Sequence, residues 1–146
     1  MLPALNPQAL IESNYQDFLA NLAKSSFSGD IEYSYASRLA VSTDNSIYQQ
    51  LPQAVVFPKS IEDLSVIGKT ANVYVDVKFS ARGGGTGTNG QSLTSGIIVD
   101  VSRHMNQVLE INTEQSWARV QAGVVKDQLN DALKPFGFFC AGLIHQ

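Results

Sequence analysis

Apolar positions recur along this chain with two different periods, and the period changes from segment to segment. Ile11, Tyr15, Phe18 and Leu22 stand three or four residues apart, the interval that lines one face of a helix. Asn6-Pro7 ahead of them supplies an N-capping residue followed by Pro at the first helical position. A helix is therefore predicted from that point to the polar stretch KSSFSGD, stopping at or before Gly29. A second short helix, or a turn, is predicted over Tyr33–Leu39. The run AVVF, Ala54–Phe57, reads as a buried strand closed by Pro58. Ser60 and Asp63 have the spacing of a capping box, with Asp where Glu or Gln is usual. They open a helix that puts Leu64, Ile67 and Ala71 on one face. VYVDVKFSA, Val73–Ala81, is β-branched and aromatic and predicts a strand within it. GIIVDVS, Gly96–Ser102, predicts another. VLEIN and WARVQAG, separated by TEQS, predict a hairpin near Val108–Gln121. Val125, Leu129 and Leu133 then mark a helix ended by Pro135 and Gly137. The order points to an α+β protein of sheets covered by helices.

Composition narrows the function classes. The chain has 146 residues and a net charge of −3, enough for one domain or a little more with a true core. No Lys/Arg cluster with interleaved aromatics is present, so nucleic acid is not an expected partner. Cys140 is the single cysteine. It leaves no internal disulfide and no cysteine-based metal site. The N-terminus MLPALNPQAL has neither a basic region nor a long apolar run, so it does not read as a signal peptide. No segment approaches the roughly 20 apolar residues that span a bilayer. A cytoplasmic protein is the default expectation.

The chemistry concentrates in RGGGTGTNGQ, Arg82–Gln91. Five of the nine residues from Arg82 to Gly90 are glycine, although glycine loses more backbone freedom on folding than any other residue. A Walker loop requires Lys after its last glycine, and Gln91 stands there. A dinucleotide fingerprint is formally present as Gly85-Thr-Gly-Thr-Asn-Gly90, and Glu110 lies about where its ribose partner belongs. That fingerprint needs a helix directly after the loop, yet the strand IIVDV begins within a few residues. The remaining nucleotide reading is a loop between two strands whose own N–H groups form an anion-binding concavity. Thr86 and Thr88 add hydroxyl donors and Asn89 an amide donor. No Asp or Glu lies between Asp76 and Asp100, while Lys78 and Arg82 do. The plain alternative is a flexible surface loop with glycine at its turns.

RGGGTGTNGQ between two strands, followed by IIVDVSRHMNQVLEIN and VQAGVVKDQLNDALKPFG, resembles the FAD-linked oxidases and dehydrogenases of the vanillyl-alcohol oxidase/p-cresol methylhydroxylase superfamily. STDNSIYQQLPQAVVFPKSIEDL upstream fits the same pattern. The resemblance runs from about Phe27 to Ala141 and is closest to large bacterial dehydrogenases of D-2-hydroxy acids of the D-2-hydroxyglutarate type. It implies a two-subdomain FAD-binding module. Residues 1–40 would be an N-terminal helical segment, 41–119 the first FAD-binding subdomain and 120–146 the start of the second, near Val120–Gly123. Carried over by position, Arg82, Gly83, Gly84, Gly85, Thr86, Gly87, Thr88, Asn89 and Gly90 would surround the FAD pyrophosphate. Pro58 would end a strand bordering the adenosine side.

The chain departs from that pattern in three places. Ala81 replaces a Pro frequent before the Arg, which should loosen the start of the loop slightly. Thr86 stands where relatives with covalent flavin often carry His, so noncovalent FAD is expected. After Ala141 the chain ends in GLIHQ instead of a Pro-rich, Ser/Thr-rich stretch, which implies a truncated second subdomain and no catalytic residues here. The resulting expectation is FAD binding as the N-terminal part of a flavin-dependent oxidoreductase of 2-hydroxy acids. The alternative is a noncatalytic remnant or interaction module that keeps the fold without flavin.

Other residues favour structural roles. His104 has no partner at metal or triad spacing, and a surface or supporting role is expected. His145 adjoins the terminus. Trp117 is expected in the hairpin's core or on its face, and Asp44-Asn45 in a turn. Tyr48 belongs to the family-like stretch without readable chemistry. Cys140 is either an inert buried thiol or, in a frayed tail, a reactive one. The apolar tail FFCAGLI is a candidate surface for self-association.

Overall fold

A computed structural model of the chain describes residues 10–140. Its main body is a four-stranded sheet in the order β1-β2-β4-β3. These strands are β1 (Asp30–Glu32), β2 (Ala54–Phe57), β3 (Phe79–Arg82) and β4 (Ile97–Asp100). β1 runs antiparallel to β2, whereas β2, β4 and β3 are mutually parallel, with Ala54 and Phe79 both opposite Ile97. Central β2 and β4 are buried along their whole length, which is why both read as unbroken apolar runs instead of alternating ones.

Alternation across the pleat divides the side chains between two faces. Ala54, Val56, Ile97 and Val99 join Tyr15, Phe18, Leu19, Leu22 and Ile67 in one core under helices α1 (Ser13–Lys24) and α3 (Ile61–Ala71). Val55, Phe57 and Ile98 face the other way and meet Val41, just beyond α2 (Tyr35–Ala40). Phe18 is fully buried and stacks edge-on against Tyr74 and Phe79, at 5.7 and 5.2 Å between ring centres. Each such aromatic pair adds roughly 0.5–1.5 kcal/mol beyond its buried area.

The expected start of the first helix at Asn6-Pro7 lies outside the described residues. Glu12 is extended, and α1 follows it. Gln53 clasps Glu12, accepting from its backbone N–H and donating to Oε1, both at 3.0 Å. Ser60 caps α3 by accepting from the Asp63 N–H at 3.2 Å. The other half of the expected box differs. The Asp63 carboxylate accepts from the N–H groups of Lys59 and Ser28, at 2.8 and 2.7 Å, and from the Ser28 hydroxyl. It joins the β1 approach to the α3 start.

Within Val73–Ala81 the strand begins only at Phe79 and continues to Arg82. Val73 and Val75 project into solvent, in turns closed by Val73 N–H to Thr70, Tyr74 N–H to Ala71 and Val77 N–H to Tyr74. Tyr74 and Val77 are the residues that reach the core.

A second, two-stranded sheet follows as β5 (Val108–Asn112) and β6 (Trp117–Val120), antiparallel, with Ser116 at φ 55° in the connecting turn. Helix α4 (Lys126–Leu133) packs against β5 and passes into a 3-10 turn, Lys134–Phe136, that ends on left-handed Gly137. Gly123 joins this unit to the first. Its N–H donates to the Met105 carbonyl at 2.8 Å, and a Cβ there would overlap the carbonyl oxygens of Val101 and Met105.

Candidate functional site: the glycine loop

Parallel neighbours cannot be joined by a tight turn, because the chain must return along the whole sheet. In most folds a helix makes that return. Between β3 and β4 the glycine loop makes it, residues 83–96 containing no helix or strand. The loop leaves from the carboxyl end of β3, beside the carboxyl ends of β2 and β4. That is the end where ligands of open parallel sheets bind. Direct continuation from loop to strand disposes of the helix that the formal G-x-G-x-x-G would require.

The loop is shaped by few contacts. Gly85 and Gly90 have φ of 67° and 74°, a region that side chains with a Cβ enter only at a cost. Leu93 N–H donates to the Gly90 carbonyl at 3.0 Å, and the Ser80 hydroxyl to the Gln91 carbonyl at 3.2 Å. Gln91 turns back, its Oε1 accepting from Asn89 N–H at 3.1 Å, and its amide fills the space a Cβ on Gly87 would take. The ring of Tyr48 covers Gly90.

Among the described residues, none of the backbone N–H groups from Gly83 to Thr88 finds an acceptor. Consecutive donors without partners, carried on glycines that let a ligand approach the backbone, are the donor set a phosphate group requires. Thr86, Thr88 and Asn89 are exposed on the same stretch. The residues present therefore fit a pyrophosphate.

Arg82 and Lys78 do not act together. Lys78 precedes β3 and Arg82 ends it, so the strand separates them. Ser80 and Arg82 share the sheet face opposite α1 and α3. There Arg82 Nη1 donates to the carbonyls of Thr43 and Val41, at 3.0 and 3.4 Å, and approaches Ser92 Oγ at 3.5 Å. The rest of the guanidinium lies against Gly85. The sequence interval free of acids is not free of them in space. Asp44 Oδ2 accepts from Ser92 Oγ at 3.3 Å, close to Arg82. The Ser46 hydroxyl, then the Ser46 N–H, the Ser92 hydroxyl and the Arg82 charge hold the Asp44 carboxyl below its ordinary range, against some desolvation. Asp44 also makes the expected turn, accepting from Ser46 N–H at 2.8 Å. Asp44 and Ser92 were not legible as site residues. The turn chemistry of Asp44 was the one available signal, and Ser92 had none.

Other singled-out residues lie elsewhere. His104 Nε2 is 2.6 Å from Asp30 Oδ2. Asp30 also binds Lys59, while Arg103 pairs with Glu32 and lies over the Phe57 ring at 3.4 Å. Trp117 is half-exposed on β6 and donates to Gln115 Oε1 at 2.9 Å. Cys140 is half-buried, its N–H donating to Asn130 Oδ1 at 2.8 Å. His145 and the end of the apolar tail lie outside the described residues. Among the described residues no helix is long and apolar enough to cross a membrane.

A protein family described as FAD binding domain matches residues 52–142, a span containing the whole glycine loop. The chain belongs to this family. The chain is 55% identical over 143 residues to a D-2-hydroxyglutarate dehydrogenase of Haemophilus influenzae, covering 97% of this chain and 14% of that protein. It is 54% identical to the enzyme of the same name from Escherichia coli, with the same coverage. The chain thus spans about a seventh of the length of these relatives. Among solved structures, alkyldihydroxyacetonephosphate synthase superposes with a TM-score of 0.74 at 21% identity, over 92% of this chain and 30% of that one. A 4-ethylphenol oxidase from Gulosibacter chungangensis superposes with a TM-score of 0.65 at 23% identity, over 91% and 27%. These likenesses establish the fold, the α+β FAD-binding module of the vanillyl-alcohol oxidase/p-cresol methylhydroxylase type expected from the sequence. FAD is the cofactor of the family, and Thr86 offers no nucleophile of the kind His provides for covalent attachment.

Proposed function

We propose that the glycine loop holds the pyrophosphate of noncovalent FAD. The backbone N–H groups from Gly83 to Thr88 would donate to its oxygens, with Thr86, Thr88 and Asn89 adding side-chain donors and Gly90 closing the turn. The observation that carries this reading is the run of unpartnered amides on glycines at the carboxyl end of a parallel sheet. Spread over several neutral donors, a double negative charge is stabilised with little reorganisation, because the loop already has its turns.

The relatives are named as D-2-hydroxyglutarate dehydrogenases, and on that basis the reaction class is oxidation of a 2-hydroxy acid. Bound FAD supplies a two-electron acceptor able to take hydride from the hydroxyl-bearing carbon. This chain's residues hold and orient the dinucleotide. The organisation we propose is an N-terminal segment, 1–40, a first FAD-binding subdomain, 41–119, and the start of a second, 120–146, with β1 of the N-terminal segment paired to β2 of the first subdomain. A cytoplasmic location and self-association through the apolar tail complete the reading.

The test is to follow the backbone amide resonances of the chain while FAD is added. Perturbation centred on Gly83–Thr88 is expected. Saturable binding with those resonances unmoved would refute the loop assignment.

A further inference from the structure

We propose that Arg82 is a positioning residue that shapes the glycine loop from beneath, locked by Thr43, Ser92 and Asp44, and does not itself contact phosphate. The proposal rests on the pyrophosphate reading above. Its ground is where the guanidinium is spent. Nη1 faces the carbonyls of Thr43 and Val41 and the Ser92 hydroxyl. Nη2, Cζ and Nε lie under Gly85, filling the space a side chain there would need. Arg82 precedes the unpartnered amides and Ser92 follows them, so one guanidinium joins both sides of the binding stretch.

The anchor for this lock is itself closed. Thr43 pairs with Gln49 in an isolated bridge, and Gln50 N–H donates to the Ser42 carbonyl at 2.9 Å. Ser42 is fully buried, and Ser92 nearly so. Asp44 accepts from Ser92 and adds a negative charge near the guanidinium. A planar fork can reach two carbonyls and support Gly85 at once. A lysine ammonium keeps the charge but presents a point with no fork. The two roles therefore separate by substitution. A phosphate ligand would tolerate Arg82→Lys better than Arg82→Gln, whereas a strut would lose its function in both.

The experiment compares the chain with Arg82→Lys, Arg82→Gln, Asp44→Asn and, as a surface control, Lys78→Gln. FAD affinity is read by flavin fluorescence across a salt series, and loop amide resonances are read in the free protein. Arg82→Lys and Arg82→Gln should each weaken FAD on the order of tenfold, about 1.4 kcal/mol. Asp44→Asn should weaken it in the same direction. Arg82→Gln should leave the salt dependence of FAD binding unchanged, whereas loss of a direct phosphate contact would weaken that dependence. In the free protein, Arg82→Lys should move the amides of Gly83–Gly87 and Lys78→Gln should not. Wild-type affinity in Arg82→Lys, a weakened salt dependence in Arg82→Gln, or unmoved free-state amides in Arg82→Lys would each overturn the proposal. Failure of the unaltered chain to bind FAD would instead sink the pyrophosphate reading, and the free-state amides would still decide whether Arg82 is a strut.

Discussion

Gly85 rests on the guanidinium of Arg82, with φ 67° and no room for a Cβ between them. Two independent constraints meet at this position, since a side chain would be strained by the backbone and would also displace the arginine. Gly85→Ala should cost roughly 1–2 kcal/mol in stability from the left-handed backbone alone. It should weaken FAD by more than that strain accounts for, because the loop amides would move with Arg82. Urea unfolding and a flavin titration on the same preparation separate the two effects.

Gly123 is the close contact between the two sheets. A methyl there meets the carbonyl oxygens of Val101 and Met105, which are backbone and cannot swing away. Gly123→Ala should destabilise the chain by about 1–3 kcal/mol, as overpacking in a filled interior does. The loss should appear first in β5, β6 and α4, as faster amide exchange there than in β2 and β4.

Asp63 should make the fold acid-sensitive. Burial pushes its carboxyl up, but the N–H groups of Ser28 and Lys59, the Ser28 hydroxyl and the Lys59 charge outweigh that and hold it below its ordinary value. A folded-state value below the unfolded one, about 3.9 for Asp, gives stability that is complete above the unfolded value. That stability is lost as pH falls through the folded one. Asp63→Asn removes the charge and one of the two oxygens that accept from the N–H groups of Ser28 and Lys59, and should cost about 1–3 kcal/mol at neutral pH. The difference from the unaltered chain should shrink as pH is lowered below the Asp63 range. Urea unfolding between neutral and acid pH measures this, and a difference constant with pH would assign the effect to packing.

Much of this fold was legible because its central strands are buried on both faces. AVVF and IIVD are short apolar runs rich in β-branched residues, and their length favours strands over helices; the β5–β6 hairpin and α4 carried ordinary turn and helix signals. Strand β1 was not legible. It is Asp-Ile-Glu, three residues with one apolar side chain, too short for a period to show. Its acids are satisfied by Lys59, Arg103 and His104, tens of residues away. Val73 and Val75 suggested a strand too early because β-branched residues favour strands wherever they stand, and here Tyr74 and Val77 hold that stretch in turns. The loop itself was legible from its glycines. Its parallel return and the lock on Arg82 were not, since both depend on contacts between Thr43, Asp44, Arg82 and Ser92 that no local pattern encodes.

The central claim is that this chain's glycine loop binds the FAD pyrophosphate. The direct measurement is flavin fluorescence of the chain titrated with FAD, repeated with Gly85→Val. Saturable binding at micromolar FAD, abolished by the substitution while the far-ultraviolet circular dichroism is retained, is the predicted result. No saturable change with the unaltered chain, or equal binding by Gly85→Val, would contradict it.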